Sequence, residues 1–316
     1  NEADIPFSLT FTVEDADGDT DDATVSFGIE DGEGPAFDVE GVALDLDEDT
    51  LLTPSVDDDD DSATLTINVG SDEIDSVEFV TTDDALAAIN VAGIAGTISW
   101  AEDGADLVGS VDGTDVLRLS LNTVGTSVTV VATLLNPLPH ANTNSEDDIV
   151  VSGVQVKVQD TDGDSDTATV QVTVNDDVPT VSAFADDDAT SVIEGQTISG
   201  TWDPQFGADG EASAGSVKVE VGGTTYTFGA GVSFGTAFAV SNGMLTVNEV
   251  GTWSFVADDN LDNNEADIPF SLTFTVEDAD GDTDDATVSF GIADGEGPAF
   301  DVEGVALDLD EDTLLT

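Results

Sequence analysis

Phe7-Ser8-Leu9-Thr10-Phe11-Thr12-Val13-Glu14-Asp15-Ala16-Asp17-Gly18-Asp19-Thr20-Asp21-Asp22-Ala23-Thr24-Val25-Ser26-Phe27-Gly28-Ile29 reads as two strands joined by an acidic turn. Apolar and polar residues alternate with period two on both sides, the pattern of half-buried strands. The turn between them carries Asp15, Asp17 and Asp19. Asp is the short acid, suited to turns and to tight oxygen cages around a hard cation.

The same hairpin signature occurs three times. Residues 13–25 are matched by Val158-Gln159-Asp160-Thr161-Asp162-Gly163-Asp164-Ser165-Asp166-Thr167-Ala168-Thr169-Val170 and again by residues 276–288. The whole stretch 1–53 recurs as 264–316 with one difference, Glu30 against Ala293. Copies this alike read as slightly more than one unit of a longer tandem array, and such chains are usually spacers. A proline follows each signature, Pro35, Pro179 and Pro298, and marks a domain seam. The expected division is residues 1–35 as the closing part of a β-sandwich, 36–178 and 179–298 as complete sandwiches, and 299–316 as the start of the next. Both complete domains approach the usual ~100–150 residues of an independent fold.

Seventy Asp and Glu against three Lys and Arg give a formal charge of −67, yet 39% of residues are hydrophobic and the strand periodicity is clean. Self-repulsion of this size destabilises a compact state, so bound cations or high external salt must offset it. Fifty-one of the acids are Asp and nineteen are Glu, a bias that a merely solvating surface does not need. With Arg118, Lys157 and Lys218 as its whole cationic set, the chain lacks the clustered positive charge that nucleic acid demands. The absence of cysteine excludes disulfides and thiolate metal sites. No apolar run approaches the ~20 residues of a membrane span, so no direct membrane insertion is expected, and no signal peptide is visible.

Further strands are expected at 63–69, 76–80, 128–134, 149–158, 170–174, 215–221, 224–228, 244–247 and 252–256, with helical or irregular turns at 83–90 and 134–141. Seven or so strands per domain, separated by turn signals, predict an all-β fold of tandem immunoglobulin-like antiparallel β-sandwich domains in an extended rod, without the usual disulfide. Trp100, Trp202 and Trp253 read as core or seam residues; Trp253 and Phe255 alternate with polar neighbours and should point inward together, whereas Trp202, in Gly200-Thr201-Trp202-Asp203-Pro204, is more loop-like. Asp57–Asp61 reads as a solvated loop. His140, between Pro139 and Ala141, reads as ordinary surface and supports no catalytic triad. Carboxylate pairs could serve a glycosidase, and exposed tryptophans could hold a sugar. In so acidic a chain, however, close carboxylates arise by chance.

If each hairpin closes its sandwich, its acidic turn lies at the pole where the preceding linker enters. Asp160, Asp162 and Asp164 should then meet the linker carrying Asp31 and Glu33, and Asp278, Asp280 and Asp282 should meet Asp176 and Asp177. Asp15, Asp17, Asp19 and Asp294 complete the candidate set through the repeat. Ca²⁺ is the favoured ion, because it accepts six to eight oxygens in flexible geometry while Mg²⁺ demands a near-ideal octahedron and keeps its waters. Such an ion would hold the turn in shape and stiffen a short linker. Asp-Gly hairpin turns also occur without metal, so the turn alone is not diagnostic.

The Val-x-Asp-x-Asp-Gly-Asp-x-x-x-Ala-Thr-Val hairpin, the Asp-Gly-Glu-Gly-Pro and Asn-Asp-Asp-Val-Pro seams, the near-identical repeats and the absent cysteine together resemble the extender repeats of giant bacterial RTX adhesins. That resemblance implies Ca²⁺-bound immunoglobulin-like sandwiches, export by type I secretion, a place on the bacterial cell surface and a role in holding a distal ligand-binding domain away from it. It implies no enzymatic activity. The Gly-Gly-x-Gly-x-Asp nonapeptides that give the family its name are not present. A binding module in the same array and a subunit of a filament or surface layer are the competing readings. Partners would be neighbouring repeats of the same long chain. Because residues 1–35 carry only closing strands, strand complementation by another copy is expected to cover their apolar face.

Overall fold

Alternating Val, Thr, Leu and Phe dominate the chain, and β-branched and aromatic residues suit a pleated surface buried on one side. The computed structural model describes residues 5–30, 32–52, 60–141, 146–213, 215–249, 251–262 and 266–295, and is all-β apart from the short helix Asp83–Ala88 and two 3₁₀ turns. No helix among them is long and apolar enough to cross a membrane. The chain falls into two compact units, one of residues 1–180, 205–213 and 277–284, the other of 181–204, 214–276 and 285–316.

In the first unit, one sheet runs in the order Ala36–Phe37, Asp60–Asn68, Ser127–Leu134, Thr114–Val124, Asp106–Val111, Ser99–Asp103. The other runs Gly41–Asp47, Ser165–Asn175, Asp148–Asp160, Ile74–Phe79, with Asn90–Ala92 also pairing Asp148–Asp160. Their inward faces share one apolar core that includes Leu44, Leu65, Leu119, Val130, Val156 and Val172. This is an immunoglobulin-like sandwich. Its pairing is antiparallel except where Gly41–Asp47 lies parallel to Ser165–Asn175. In Asp148–Asp160 the register shifts between Val151 and Val154. That bulge switches the buried parity from Ile149 and Val151 to Val154, Val156 and Val158, so one strand keeps its apolar residues inside although its alternation breaks.

The second unit holds two five-stranded sheets. One is Thr180–Ala185, Thr197–Gln205, Thr252–Ala257, Gly243–Val247, Phe238–Val240; the other is Ser191–Ile193, Thr283–Ala293, Ile268–Glu277, Val217–Val221, Thr224–Thr227. Here too one pair is parallel, Ser191–Ile193 with Thr283–Ala293. Phe255 packs between the sheets at 4.2 Å from Phe270 and 5.7 Å from Phe290. Trp253 and Phe255 are buried as expected. Trp202 is not a loop residue: it lies in Thr197–Gln205, is buried, stacks 5.5 Å from Phe274 and donates its indole N–H to the Asn248 carbonyl. The aromatic needed a core, and the strand's alternation placed it there. Trp100 is half-buried in Ser99–Asp103.

The hairpin of Ile5–Glu14 and Thr20–Ile29 forms a separate two-stranded sheet with Phe7 opposite Phe27 and Leu9 opposite Val25. All of its residues are exposed. Its sequence copy in the second unit buries the same positions: Phe11 is 59% exposed where Phe274 is 0%, and Val13 is 67% exposed where Val276 is 0%.

Candidate metal centre

Each signature folds into the same turn. The amide of its first Asp donates to the carbonyl of the last, Asp15 to Asp19 (3.0 Å), Asp160 to Asp164 (3.0 Å) and Asp278 to Asp282 (3.1 Å). The first Asp's Oδ1 accepts backbone N–H groups inside the turn: from Asp17 and Asp19 at Asp15, from Gly163 at Asp160, and from Gly281 and Asp282 at Asp278. The glycine sits at φ 95, 106 and 109° in the three copies, a left-handed conformation that explains why the motif carries Gly there. One oxygen of the leading Asp therefore shapes the turn. The second is left for something else.

In the third copy the turn meets other carboxylates. Ligand atoms of Asp278, Asp280 and Asp282 lie within 4.8 Å of one another, and so do those of Asp176, Asp209 and Asp280. All five residues belong to the first unit. Asp176, Asp278 and Asp282 are buried, and Asp209 and Asp280 half-buried. Oδ2 of Asp176, Asp209 and Asp278 and both oxygens of Asp280 are buried without a hydrogen-bond donor. Burial drives the carboxyl of Asp278 up to about 7, with Asp280 adding to it, and those of Asp176 and Asp209 up to about 8, His140 opposing the rise at Asp176. Asp177 is buried beside them, takes the Ala208 amide, and is raised to about 6, again by burial first. At φ +67° Gly207 brings its loop so close to Asp177 that an added Cβ would lie 2.2 Å from Oδ2. Leaving a buried charge unpaired costs several kcal/mol per ion, on the order of the stability of a small domain. The two triplets share Asp280 and offer oxygen only, the ligand type that a hard cation takes.

The second copy makes a smaller cluster, in which Asp160 and Asp162 are joined by Asp72. The close carboxylate of Asp160, with burial, raises Asp162 to about 6. The linker does run beside this turn: a Cβ on Gly34 would lie 2.8 Å from that of Asp164, the Phe37 amide donates to Asp166 at 2.8 Å, and the Ser71 amide donates to the Glu33 carbonyl at 2.8 Å. Glu33 itself is exposed, Asp164 lies outside the cluster, and Asp31 lies outside the described residues. In the first copy Asp15, Asp17 and Asp19 converge while exposed, and contacts with Asp17 first, then turn amides, hold Asp15 below the usual carboxylate range. Asp294 is exposed and joins no cluster among the described residues.

Asp209, Asp72 and Glu48 carry no motif and were not expected here. Asp209 had one local signal, a loop of Gly207-Ala208-Asp209-Gly210 that lets a carboxylate approach closely. His140 is not a surface residue: it is buried, and a bridge with Ile94 holds its backbone. Its ring faces Glu48 at 3.5 Å, Asp176 at 3.6 Å and Asp147 at 3.2 Å. Burial alone would depress the imidazole. Glu48, Asp176 and Asp147 overcome it and lift His140 to about 9. The loop reading failed because the neighbouring prolines mark irregular backbone and say nothing of burial. Asp60 and Asp61 belong to the strand Asp60–Asn68, while Asp57 to Asp59 lie outside the described residues. Arg118 pairs with Asp103 and Asp106, and Lys157 with Glu78. Both cations are committed elsewhere.

No family model and no curated protein matches the sequence. Among solved structures, the chain is similar to a 1.5-MDa bacterial ice-binding adhesin at 18% identity, over 93% of this chain and 75% of that one, with a TM-score of 0.22. Fibronectin(III)-like modules of Clostridium thermocellum CbhA align at 12% identity over 85% of this chain and 100% of theirs, with a TM-score of 0.24. A mouse clustered protocadherin, PcdhgC3 EC1-3, aligns at 12% identity over 93% and 77%, with a TM-score of 0.26. Likenesses this distant carry no argument about function, which rests on the chain's own residues.

Proposed function

We propose that this chain is a structural extender segment of a secreted bacterial adhesin, a run of β-sandwiches whose acidic turns are locked by Ca²⁺. The observation that carries the reading is the set of buried, donor-less carboxylate oxygens on Asp176, Asp209, Asp278 and Asp280. Protons, or a cation, must neutralise them, and in a chain of formal charge −67 the ion has the larger effect. With Asp282, these residues supply enough oxygens for the six to eight that Ca²⁺ takes, and extracellular Ca²⁺ modules work at roughly 10⁻⁴–10⁻³ M. The Asp72, Asp160 and Asp162 cluster is a second, smaller site of the same kind. Ions here tie residues 176–177, 205–213 and 277–284 together and remove bending freedom, which is what a spacer that projects a distal domain requires.

Thermal unfolding with small-angle scattering, in chelator and in millimolar Ca²⁺, tests this. Each filled site should add RT ln(1 + [L]/Kd), about 2.7 kcal/mol at a hundredfold excess over Kd. The melting temperature should rise and the scattering should report a stiffer chain. Identical melting and scattering curves in the two conditions would remove the basis for the proposal.

A further inference from the structure

Beside the oxygen cage lies a site of different chemistry. Glu48, His140 and Asp176 are 0, 1 and 4% exposed, and their ligand atoms lie within 4.8 Å of one another. Glu48 Oε1 accepts the Leu138 amide at 2.8 Å and Asp176 Oδ1 accepts the Asp177 amide at 2.9 Å, which fixes both carboxylates. The other oxygen of each, Glu48 Oε2 and Asp176 Oδ2, is buried without a donor, and His140 Nε2 is also unpartnered. We propose that these three side chains form a second metal site, selective for a borderline divalent ion of the Zn²⁺ class, with His140 Nε2 as its nitrogen ligand.

Distance favours a shared ion over a direct contact. Nε2 stands 3.5 Å from Glu48 Oε1 and 3.6 Å from Asp176 Oδ1. A charge-assisted N–H···O bond is about 2.7–2.9 Å long, so both separations exceed a direct hydrogen bond and match two ligands of one ion. Two ligands of one tetrahedral ion, each at about 2.0–2.2 Å, stand roughly 3.4 Å apart. The back of the ring is also arranged for ligation. Asp147 Oδ1 lies 3.2 Å from Nδ1. A carboxylate there accepts a hydrogen bond from Nδ1–H and so directs a metal to Nε2, on the side facing Glu48 and Asp176, the support that metal-bound histidines usually have. The Asp176 amide donates to the Asp147 carbonyl at 3.1 Å, which ties that support to one of the ligands.

An imidazole nitrogen suits Zn²⁺ and its neighbours and adds little for Ca²⁺, which takes oxygen. The site is therefore separable from the Ca²⁺ reading, with which it shares Asp176 alone. His140 is the only histidine in the chain, so its ¹⁵N resonances report on the site in the unaltered protein. The full chain, stripped with chelator and returned to millimolar Ca²⁺, is titrated with Zn²⁺ and followed by calorimetry and by the imidazole nitrogens. About one equivalent should bind in the presence of excess Ca²⁺, shifting Nε2 to a metal-bound position while Nδ1 keeps its proton. His140→Gln should weaken Zn²⁺ at least tenfold and leave Ca²⁺ binding in place, whereas Asp280→Asn should weaken Ca²⁺ and spare Zn²⁺. Unchanged imidazole signals at saturating Zn²⁺ would overturn the proposal whether or not the variant folds. So would Zn²⁺ that binds only by displacing Ca²⁺. Failure of Ca²⁺ to bind, with the Zn²⁺ response intact, would count against the extender reading alone.

Discussion

At the scale of single residues, Asp280 has the most consequences, because it belongs to both acidic triplets around the third turn. Removing its charge takes away a ligand when the ion is present and a repulsion when it is absent. Asp280→Asn should therefore raise the melting temperature in chelator and shrink the gain on adding Ca²⁺. A fall of equal size in both conditions would show that Asp280 acts through ordinary hydrogen bonding. The pH dependence has a definite sign. Asp176 and Asp209, at about 8, and Asp278, at about 7, hold protons in the folded state that an unfolded carboxylate with pKa 3.8 has released. Stability in chelator should fall as pH rises across that window. His140, raised from 6.5 to about 9, stabilises fully below 6.5 and loses that contribution as pH passes about 9, so it slopes the same way. Ca²⁺ replaces those protons and should flatten the curve. Melting temperatures taken from about pH 5 to about pH 9 check this, and a curve that rises with pH in chelator would contradict it.

At the scale of elements, the hairpin occurs twice with one sequence and two environments. Its local bonds are the same: Thr10 to Thr24 at 2.9 Å in one copy, Thr273 to Thr287 at 2.9 Å in the other. The difference is a covering layer. In the second unit Val217–Val221 pairs Ile268–Glu277, and Phe255 packs on Phe270 and Phe290. The exposed copy keeps Phe7, Leu9, Phe11, Val25 and Phe27 on its surface, and a two-stranded hairpin alone is marginal in water. In a second copy residues 181–257 already pack on their own hairpin at 268–293, so the exposed hairpin is covered either by an exchange of hairpins between chains or by the same exposed face of another chain. Concentration-dependent association by analytical ultracentrifugation should follow, and Phe11→Asp should abolish it. Association that persists in Phe11→Asp would place the contact elsewhere. The turns make a smaller prediction: Gly281→Ala, at φ 109°, should cost about 1 kcal/mol or more through backbone strain and weaken Ca²⁺ further by moving Asp278 and Asp282.

For the whole molecule, charge decides the conditions under which the fold exists. A formal charge of −67 is screened by simple salt over a Debye length of about 10 Å at 0.1 M, which relieves the surface and leaves buried pairs almost untouched. NaCl should recover only part of the stability that Ca²⁺ supplies. Full recovery of melting temperature and stiffness in NaCl plus chelator would mean that diffuse screening, with no specific cage, holds the chain together.

Strand periodicity, the acidic turns, the Asp bias and the repeat were written in the sequence, because each depends on neighbours within a few residues. The turn motif named Asp160, Asp162, Asp278, Asp280 and Asp282 for the same reason. The sequence could not name Asp72, Glu48 or His140 as cluster members and marked Asp209 only through its glycine-flanked loop, since their neighbours lie far along the chain. Burial was decided in the same way. Phe11 and Phe274 share a sequence context and a hairpin, yet one faces water and the other a core. Local sequence sets which face of a strand is apolar; only the tertiary structure supplies the second layer that covers it, and only that covering turns a row of acids into carboxylates that need a cation.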